Sequence, residues 1–312
     1  MAGRGRVVFS SSRDASPTDG ATVVPRRNSL VSSLAAGASG IAASLFATLF
    51  PADCRICGTP LTNISRLPVC DQCLSSMTRI EGNLCAICGE RLTRPYALSV
   101  EEGEARCELC RRAAPLYVKA AAYGGYEGGL RELIHLLKYD QVRPAAAVLG
   151  RMLAEAIGDL RLTFTNGPAV VVPVPLYRRK LRQRGFNQSE LLARAALKLL
   201  SGKIFELNPS VLERCRETQS QIGLSRHQRR ENMRGAFVVS RPGEIARREV
   251  LLVDDVMTTG TTVSECARVL RRAGASKVYV ATVARTLKVE MQSASLGPAF
   301  EVEDDLAMAA HG

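Results

Sequence analysis

The sequence contains no tryptophan, and only 5% of its residues are aromatic. Proteins that bind single-stranded nucleic acid stack bases on aromatic side chains. The scarcity of such side chains argues against recognition of bases by stacking, but it does not argue against binding of the nucleic-acid backbone. The most apolar stretch covers residues 41–50, whereas a membrane span needs about 20 apolar residues. Residues 1–40 lack the compact apolar region of a secretory signal. These absences predict a cytoplasmic protein with no membrane span.

The charge of the chain is strongly positive and unevenly placed. Lysine and arginine number 42 against 30 acidic residues, which gives a net charge of +12. This balance favours an anionic partner such as phosphate or nucleic acid. Two clusters carry much of the charge, and they comprise Arg178, Arg179, Lys180, Arg182 and Arg184 in the first and Arg226, Arg229, Arg230 and Arg234 in the second.

The composition changes along the chain and predicts five regions. Residues 1–33 are polar and serine-rich, and they indicate a disordered tail, although their arginines also suit an organellar transit peptide. Residues 34–51 have helical apolar spacing, and 52–112 form a cysteine-rich unit. Residues 113–287 alternate apolar runs with helical patterns, and 288–312 are an acidic, irregular tail.

The region 113–287 predicts an α/β fold with a parallel sheet and helices on both faces. Apolar runs at 169–174, 250–253 and 278–283 are the expected strands. Helical periodicity is expected near 130–137, 144–157, 188–200 and 262–273. The run 178–184 between strand and helix is expected to be a basic loop.

Four Cys-x-x-Cys pairs dominate the cysteine-rich unit. In a reducing compartment such pairs are more often metal ligands than disulfides. Four thiolates close one tetrahedral zinc site, so two structural zinc ions are predicted. Sequential pairing would give two zinc ribbons and interleaved pairing a cross-brace, and an iron–sulfur cluster is a third alternative. The ligands would be Cys54, Cys57, Cys70, Cys73, Cys85, Cys88, Cys107 and Cys110.

The segment VLLVDDVMTTGTT at 250–262 predicts a sugar-phosphate site. Its apolar residues form a strand, Asp254 and Asp255 follow, and a threonine-rich turn leads into a helix. Ligands bind at this end of open α/β sheets, and a helix N-terminus with threonine hydroxyls suits a phosphate. Adjacent carboxylates suit sugar hydroxyls or a metal ion. The alternatives are a threonine-capped turn and a Walker A loop, whose spacing is absent.

The same segment resembles the signature of type I phosphoribosyltransferases, which bind phosphoribosyl pyrophosphate (PRPP). The resemblance implies that Asp254 and Asp255 hold the ribose hydroxyls. It also implies that the loop holds the 5-phosphate through Thr258, Thr259, Gly260, Thr261 and Thr262.

Two basic segments complete the predicted site. The first follows the strand that ends in Val172-Pro173-Val174-Pro175, and its cations suit a pyrophosphate group. The predicted anion ligands are Arg178, Lys180, Arg182 and Arg184. The second segment, residues 214–237, is polar and basic, and its first half could be a mobile flap over the site.

Three segments, taken in their order along the chain, resemble the ComF family, which is linked to competence and DNA uptake. They are VPVPLYRRKLRQRGFNQ, RETQSQIGLSRHQRRENMRGAF and VLLVDDVMTTGTT. Residues from about 50 to 287 are covered by this resemblance, including the cysteine-rich unit and the segment around Leu136-Leu137-Lys138-Tyr139. It implies a type I phosphoribosyltransferase fold behind an N-terminal double zinc ribbon. It also implies single-stranded DNA, a competence helicase or other DNA-uptake proteins as partners.

Two functions follow as hypotheses. The first is a magnesium-dependent transferase that moves ribose 5-phosphate from PRPP to a nitrogenous acceptor. An acceptor pocket and a general base are not recognisable in the sequence, so the catalytic residues are unknown. The second is a non-catalytic protein that handles single-stranded DNA through phosphate contacts and uses the nucleotide site as a ligand sensor.

Overall fold

The computed structural model describes residues 52–61, 65–92, 105–164, 167–200, 204–218 and 225–287, which belong to one compact unit. The tails expected at 1–33 and 288–312 and the helix expected at 34–51 lie outside these residues.

A five-stranded parallel sheet organises the chain after the cysteine-rich unit. The described residues form seven strands, of which five make this sheet and two make a separate ladder. They are β1 (Lys119–Gly125), β2 (Ala169–Pro173), β3 (Phe205–Leu207), β4 (Leu212–Arg214), β5 (Phe237–Val239), β6 (Glu249–Met257) and β7 (Lys277–Arg285). The sheet has the order β1-β7-β6-β2-β3, and β4 pairs with β5 in a separate antiparallel ladder. Every residue of β2 is buried, as expected for a central strand covered on both faces.

Helices connect the strands and cover both faces of the sheet. They are α1 (Asp71–Ser75), α2 (Glu108–Arg112), α3 (Gly128–Lys138), α4 (Ala145–Gly158), α5 (Arg178–Arg184), α6 (Gln188–Leu197), α7 (Arg226–Met233) and α8 (Thr261–Arg272). The apolar spacing that predicts α3 is confirmed, since Leu130, Leu133, Ile134 and Leu137 are buried. In the described part of the chain, no helix is long and apolar enough to cross a membrane.

Alternate residues of the central strands enter two separate hydrophobic cores. Leu251 and Val253 of β6 pack in one core with α3, α4 and α6. Val250 and Leu252 point the opposite way and pack in a second core with α8. Because successive side chains of a strand alternate between faces, the sheet is covered on both sides, as the sequence predicts.

The cysteine-rich unit packs against both cores at the β1 edge of the sheet. Leu67 and Met77 of its first half join the core of α3 and α4, and Ile87 of its second half joins the core of α8. Ile80 donates a backbone hydrogen bond to Tyr123, and Ala120 donates one to Ile87. These bonds occupy backbone groups of β1, whose other side pairs with β7, and so protect an edge strand.

Three local expectations differ from the structure. The basic run 178–184, expected to be a loop, is the helix α5, because no glycine or proline interrupts it before Gly185. Strand β6 continues through both aspartates to Met257 instead of ending at Val253. Strand β1 is not predicted by the sequence, since KAAAYGG has no β-branched or large aliphatic residue, and its pairing with β7 decides its conformation.

The close approach of α4 and α6 at Gly150 makes a first testable prediction. A methyl group at Gly150 would lie 2.4 Å from Cβ of Ala195. We expect Gly150→Ala to lower the free energy of unfolding by roughly 1–3 kcal/mol through overpacking, measured by denaturant titration. Gly158→Ala is the matched control, because nothing lies within 4 Å of its new methyl group. Equal stability of the two variants would contradict this account of the packing.

Candidate functional site

The first four cysteines of the cysteine-rich unit form one cluster. Their sulfur atoms all lie within 4.8 Å of one another, with Sγ–Sγ distances of 3.9 Å for Cys54–Cys73 and 3.7 Å for Cys57–Cys70. Zinc–sulfur bonds of about 2.3 Å in a tetrahedron place sulfurs about 3.8 Å apart. The donor set therefore fits a structural zinc ion.

The second four cysteines form an equivalent cluster that is entirely buried. In it, the sulfurs of Cys88 and Cys107 lie 3.6 Å apart. Gly58 and Gly89 follow a Cys-x-x-Cys pair in each half and have positive φ, so each forms the tight turn that brings its two sulfurs together. The clusters pair the cysteines sequentially. This arrangement decides between the two alternatives in favour of zinc ribbons and against a cross-brace.

The threonine-rich loop joins β6 to α8 at the carboxyl end of the sheet. Gly260 is the N-cap of α8 and has φ of 73°, a left-handed conformation that a residue with a side chain rarely adopts. The hydroxyls of Thr259 and Thr261 lie 2.8 Å apart. The loop therefore presents hydroxyls and the first N–H groups of a helix of twelve residues, which is a suitable environment for a phosphate.

The two aspartates of β6 are buried and have different partners. Oδ1 of Asp254 accepts hydrogen bonds of 2.9 Å from the Ser189 hydroxyl and from the Asp255 backbone N–H. Asp255 forms an ion pair with Lys138 at the end of α3. Burial and the neighbouring Asp255 charge raise the pKa of Asp254 well above its ordinary value. Burial also raises the pKa of Asp255, but the Lys138 ammonium outweighs it and the net shift is downward.

Helix α5 divides the predicted pyrophosphate ligands between two faces. Lys180 and Arg184 are one turn apart and lie on the same face. Partial burial and the cations of Arg214 and Arg184 lower the pKa of Lys180. Arg178 and Arg182 share another face. Three of the four predicted anion ligands are exposed, and Arg184 is half-buried, with its guanidinium 5.7 Å from the centre of the Tyr139 ring.

The β4–β5 ladder brings together the two ends of the segment predicted as a flap. Arg214 pairs with Phe237 in this ladder, and its guanidinium lies 5.4 Å from the centre of the Phe237 ring. Helix α7 begins with a capping box formed by Ser225 and Gln228. Residues 219–224 of the flap lie outside the described part of the chain, and its motion stays a prediction.

A cleft of about 1030 Å³ lies between the second zinc ribbon, α7 and α8. Thr258, Thr259 and Thr261 of the threonine-rich loop form one part of its wall. Cationic side chains also line it, and they are Arg229, Arg230, Arg234, Arg268, Arg272 and Arg285. Glu90, Glu231 and Glu265 line it as well, and Glu90 and Glu265 form ion pairs with two of these arginines. The cleft therefore joins the threonine-rich loop to a surface with a net positive charge.

A buried ion pair connects the second zinc ribbon to the strand next to the threonine-rich loop. Arg285 of β7 pairs in register with Met257, the last residue of β6 before the loop. Its Nη2 donates a 2.8 Å hydrogen bond to Oε2 of Glu90 and lies 3.7 Å from Sγ of Cys88. The side chains of Arg285 and Glu90 are 6% and 8% exposed. The ribbon and the loop are therefore held together by a contact that water scarcely reaches.

Comparisons with known proteins agree with both parts of this architecture. Residues 45–114 match the double zinc ribbon domain, and residues 204–296 match the phosphoribosyl transferase domain. The DNA utilization protein YhgH of Escherichia coli strain K12 is 33% identical over 238 residues, which are 76% of this chain and 98% of that protein. Competence protein F of Haemophilus influenzae is 31% identical over 223 residues, 69% of this chain and 96% of its own. The chain belongs to the ComF family.

A more distant ComF relative is competence protein ComFC of Bacillus subtilis, which is 25% identical over 209 residues, 66% of this chain and 79% of that protein. The expected fold is therefore confirmed as a phosphoribosyltransferase-like parallel sheet behind a double zinc ribbon. The two cysteine clusters lie within the residues that match the double zinc ribbon domain, and they support structural zinc.

Four residues around the site were not assigned a role by the sequence. Lys138 and Ser189 contact the aspartates, and Glu90 with Arg285 joins the ribbon to the loop. Each partner lies tens of residues away along the chain, and none belongs to a spacing that marks a site. The one local signal is a cation at the end of an apolar helix, which also describes an ordinary exposed lysine.

The Glu90–Arg285 pair makes the second testable prediction. We expect Glu90→Gln to destabilise the protein by roughly 1–3 kcal/mol, because a buried guanidinium loses a charged hydrogen-bond partner. Thermal and denaturant unfolding measure the loss. The matched control is Glu244→Gln, whose partner Arg241 is 56% exposed, and a surface pair contributes only about 0–1 kcal/mol. An equal effect of the two substitutions would refute the structural role of the buried pair.

Proposed function

We propose that this ComF-family protein binds PRPP at the carboxyl ends of β2 and β6. The observation that supports this function most strongly is the adjacency of Asp254 and Asp255 to a threonine-rich loop at the N-terminus of α8. A sugar with a 5-phosphate matches that pair of features, because its hydroxyls donate to carboxylates and its phosphate accepts from the loop.

The three parts of the ligand would contact three parts of the site. In this proposal the aspartates accept hydrogen bonds from the ribose hydroxyls, and Thr258–Thr262 donate to the 5-phosphate. Lys180 and Arg184 of α5, together with Arg214 of β4, attract the pyrophosphate. These cations lie on a helix and a short ladder, so their charge is largely in place before the ligand arrives.

Magnesium is proposed to accompany the ligand. Asp254 and Asp255 offer the hard oxygen donors that Mg²⁺ prefers, and the pyrophosphate of PRPP offers more. When bound, the ion supplies positive charge that neutralises the pyrophosphate. The chain's own cations on α5 contribute to the same neutralisation.

The reaction class that fits this ligand is a phosphoribosyl transfer. In it, the C1–O bond of PRPP breaks, pyrophosphate leaves with the bonding electrons, and a nitrogen of the acceptor bonds to C1 and loses its proton. We assign no residue as the general base. The chain's proposed contribution is to orient the ribose and to hold the charge of the leaving group.

Binding of PRPP is the third testable prediction. Calorimetry with Mg²⁺ should show one PRPP per chain, and Asp254→Asn or Asp255→Asn should weaken binding by roughly tenfold or more, the loss expected for one charged hydrogen bond. Asp159→Asn is the control, because this exposed carboxylate lies at the end of α4 and pairs with Arg79.

A wild-type protein that does not bind PRPP, or aspartate variants that bind as well as the control, would refute the proposal. Pyrophosphate release, measured with a panel of nitrogenous bases and with single-stranded DNA, then separates a transferase from a binding protein.

A second candidate function is the handling of single-stranded DNA. The observation that favours it is the cleft beside the phosphate loop, whose arginines on α7 and α8 face an open groove. Phosphate contacts need only cations, so the scarcity of aromatic side chains does not weigh against this mode. The relatives named for DNA utilization and competence suggest the same class of partner.

The fourth prediction tests this candidate by fluorescence anisotropy with a single-stranded oligonucleotide. Binding should weaken with salt, and replacing Arg230 or Arg234 with alanine should reduce the slope of the logarithmic salt dependence by about 0.7 for each phosphate that the variant no longer neutralises. The control is Arg66→Ala, at an exposed position on the first zinc ribbon. An affinity that does not depend on salt, or an equal loss of affinity in the Arg66→Ala control, would argue against the cleft as a DNA site.

A further inference from the structure

Lys138 is a buried cation that the ribose and phosphate motif does not contain. It is the last residue of α3, and its ammonium contacts Oδ2 of Asp255. The side chain of Lys138 is 15% exposed and that of Asp255 is 6% exposed. A buried ammonium is expensive unless it has a charged partner, so this ion pair is a specific feature of the site.

The Lys138 ammonium compensates part of the negative charge of the two aspartates. Adjacent buried carboxylates repel each other, and many proteins compensate such a pair with a divalent cation. Here Asp254 accepts from the Ser189 hydroxyl and the Asp255 N–H, while Asp255 has the ammonium. Each carboxylate therefore has at least one partner within the chain.

The surroundings of Lys138 keep its ammonium charged. Burial lowers its pKa, but Asp255 and then Asp254 and Tyr126 oppose burial, and the net shift is upward. The ammonium therefore remains positive at neutral pH.

We infer that Lys138 is a positioning residue of the ribose site: its ammonium orients Asp255 and replaces the divalent cation that the aspartates would otherwise bind in the ligand-free protein. This inference rests on the proposed binding of PRPP for its functional consequence. Magnesium would then arrive with the pyrophosphate of the ligand instead of occupying the pocket beforehand. The ammonium would reduce the negative charge of the empty site, which reduces its repulsion of a highly anionic ligand.

The decisive experiment measures Mn²⁺ binding to the ligand-free chain by electron paramagnetic resonance, after the zinc sites are filled. The wild-type protein should show no Mn²⁺ bound at the aspartates. Lys138→Met removes the ammonium while keeping an apolar stem, and we expect it to raise the affinity for Mn²⁺ by about tenfold or more. Adding Asp255→Asn to Lys138→Met should abolish the gain.

Two controls separate this role from a purely structural one. Lys198→Met removes an exposed lysine at the end of α6 and should leave Mn²⁺ binding unchanged. Lys138→Arg keeps a positive charge and should behave as the wild type. A gain of Mn²⁺ affinity requires the charge change at Lys138, since a mere loss of helix packing would not create a cation site.

This experiment is the fifth prediction, and each outcome decides the inference. Wild-type Mn²⁺ binding that Asp255→Asn abolishes would overturn it, and this measurement can be made even if Lys138→Met does not fold. Unchanged Mn²⁺ affinity in a folded Lys138→Met protein would overturn it as well.

A separate measurement of PRPP binding tests the functional consequence of the ion pair. Lys138→Met should bind PRPP about tenfold more weakly, and added Mn²⁺ should restore part of the affinity. If the wild type binds no PRPP, the proposed function fails while the Mn²⁺ result without ligand still decides the role of Lys138.

Discussion

The burial of two adjacent carboxylates at the end of a central strand is the constraint on which the site depends. Asp254 and Asp255 continue a strand that is covered on both faces, so bulk water does not solvate their charges. Unpaired, such charges would cost several kcal/mol. The chain compensates them with a hydroxyl from α6 and an ammonium from α3. The helices that cover the sheet therefore also supply the groups that compensate the charges of the two aspartates.

The zinc ribbons are part of this arrangement and not an appended module. Each half of the cysteine-rich unit packs on one face of the sheet, and backbone hydrogen bonds bind the unit to β1 between them. The buried Glu90–Arg285 pair extends the contact to the start of the threonine-rich loop. A domain with few large apolar side chains of its own therefore gains stability from the cores of its neighbour as well as from thiolate ligation.

The positive charge of the chain has a spatial order that composition alone does not reveal. Helix α5 carries Lys180 and Arg184 on one face and Arg178 and Arg182 on another. A second set of arginines, on α7, α8 and β7, lines the cleft beside the threonine-rich loop. The fold therefore gathers positive charge in two places that lie far apart along the chain.

What the sequence determined by itself was local in origin. Repeated Cys-x-x-Cys pairs, continuous apolar runs and an aspartate–threonine motif each depend on short spacings, so the cysteine clusters, the strands β2 and β6 and the threonine-rich loop before α8 were predictable from them. Tertiary structure alone decided the sequential pairing of the cysteines, the strand β1 and the partners of Asp254 and Asp255. Lys138 precedes Asp255 by more than a hundred residues, and no local pattern relates them. Only the packing of α3 against the sheet brings this ammonium to that carboxylate, because burial makes each charge require the other.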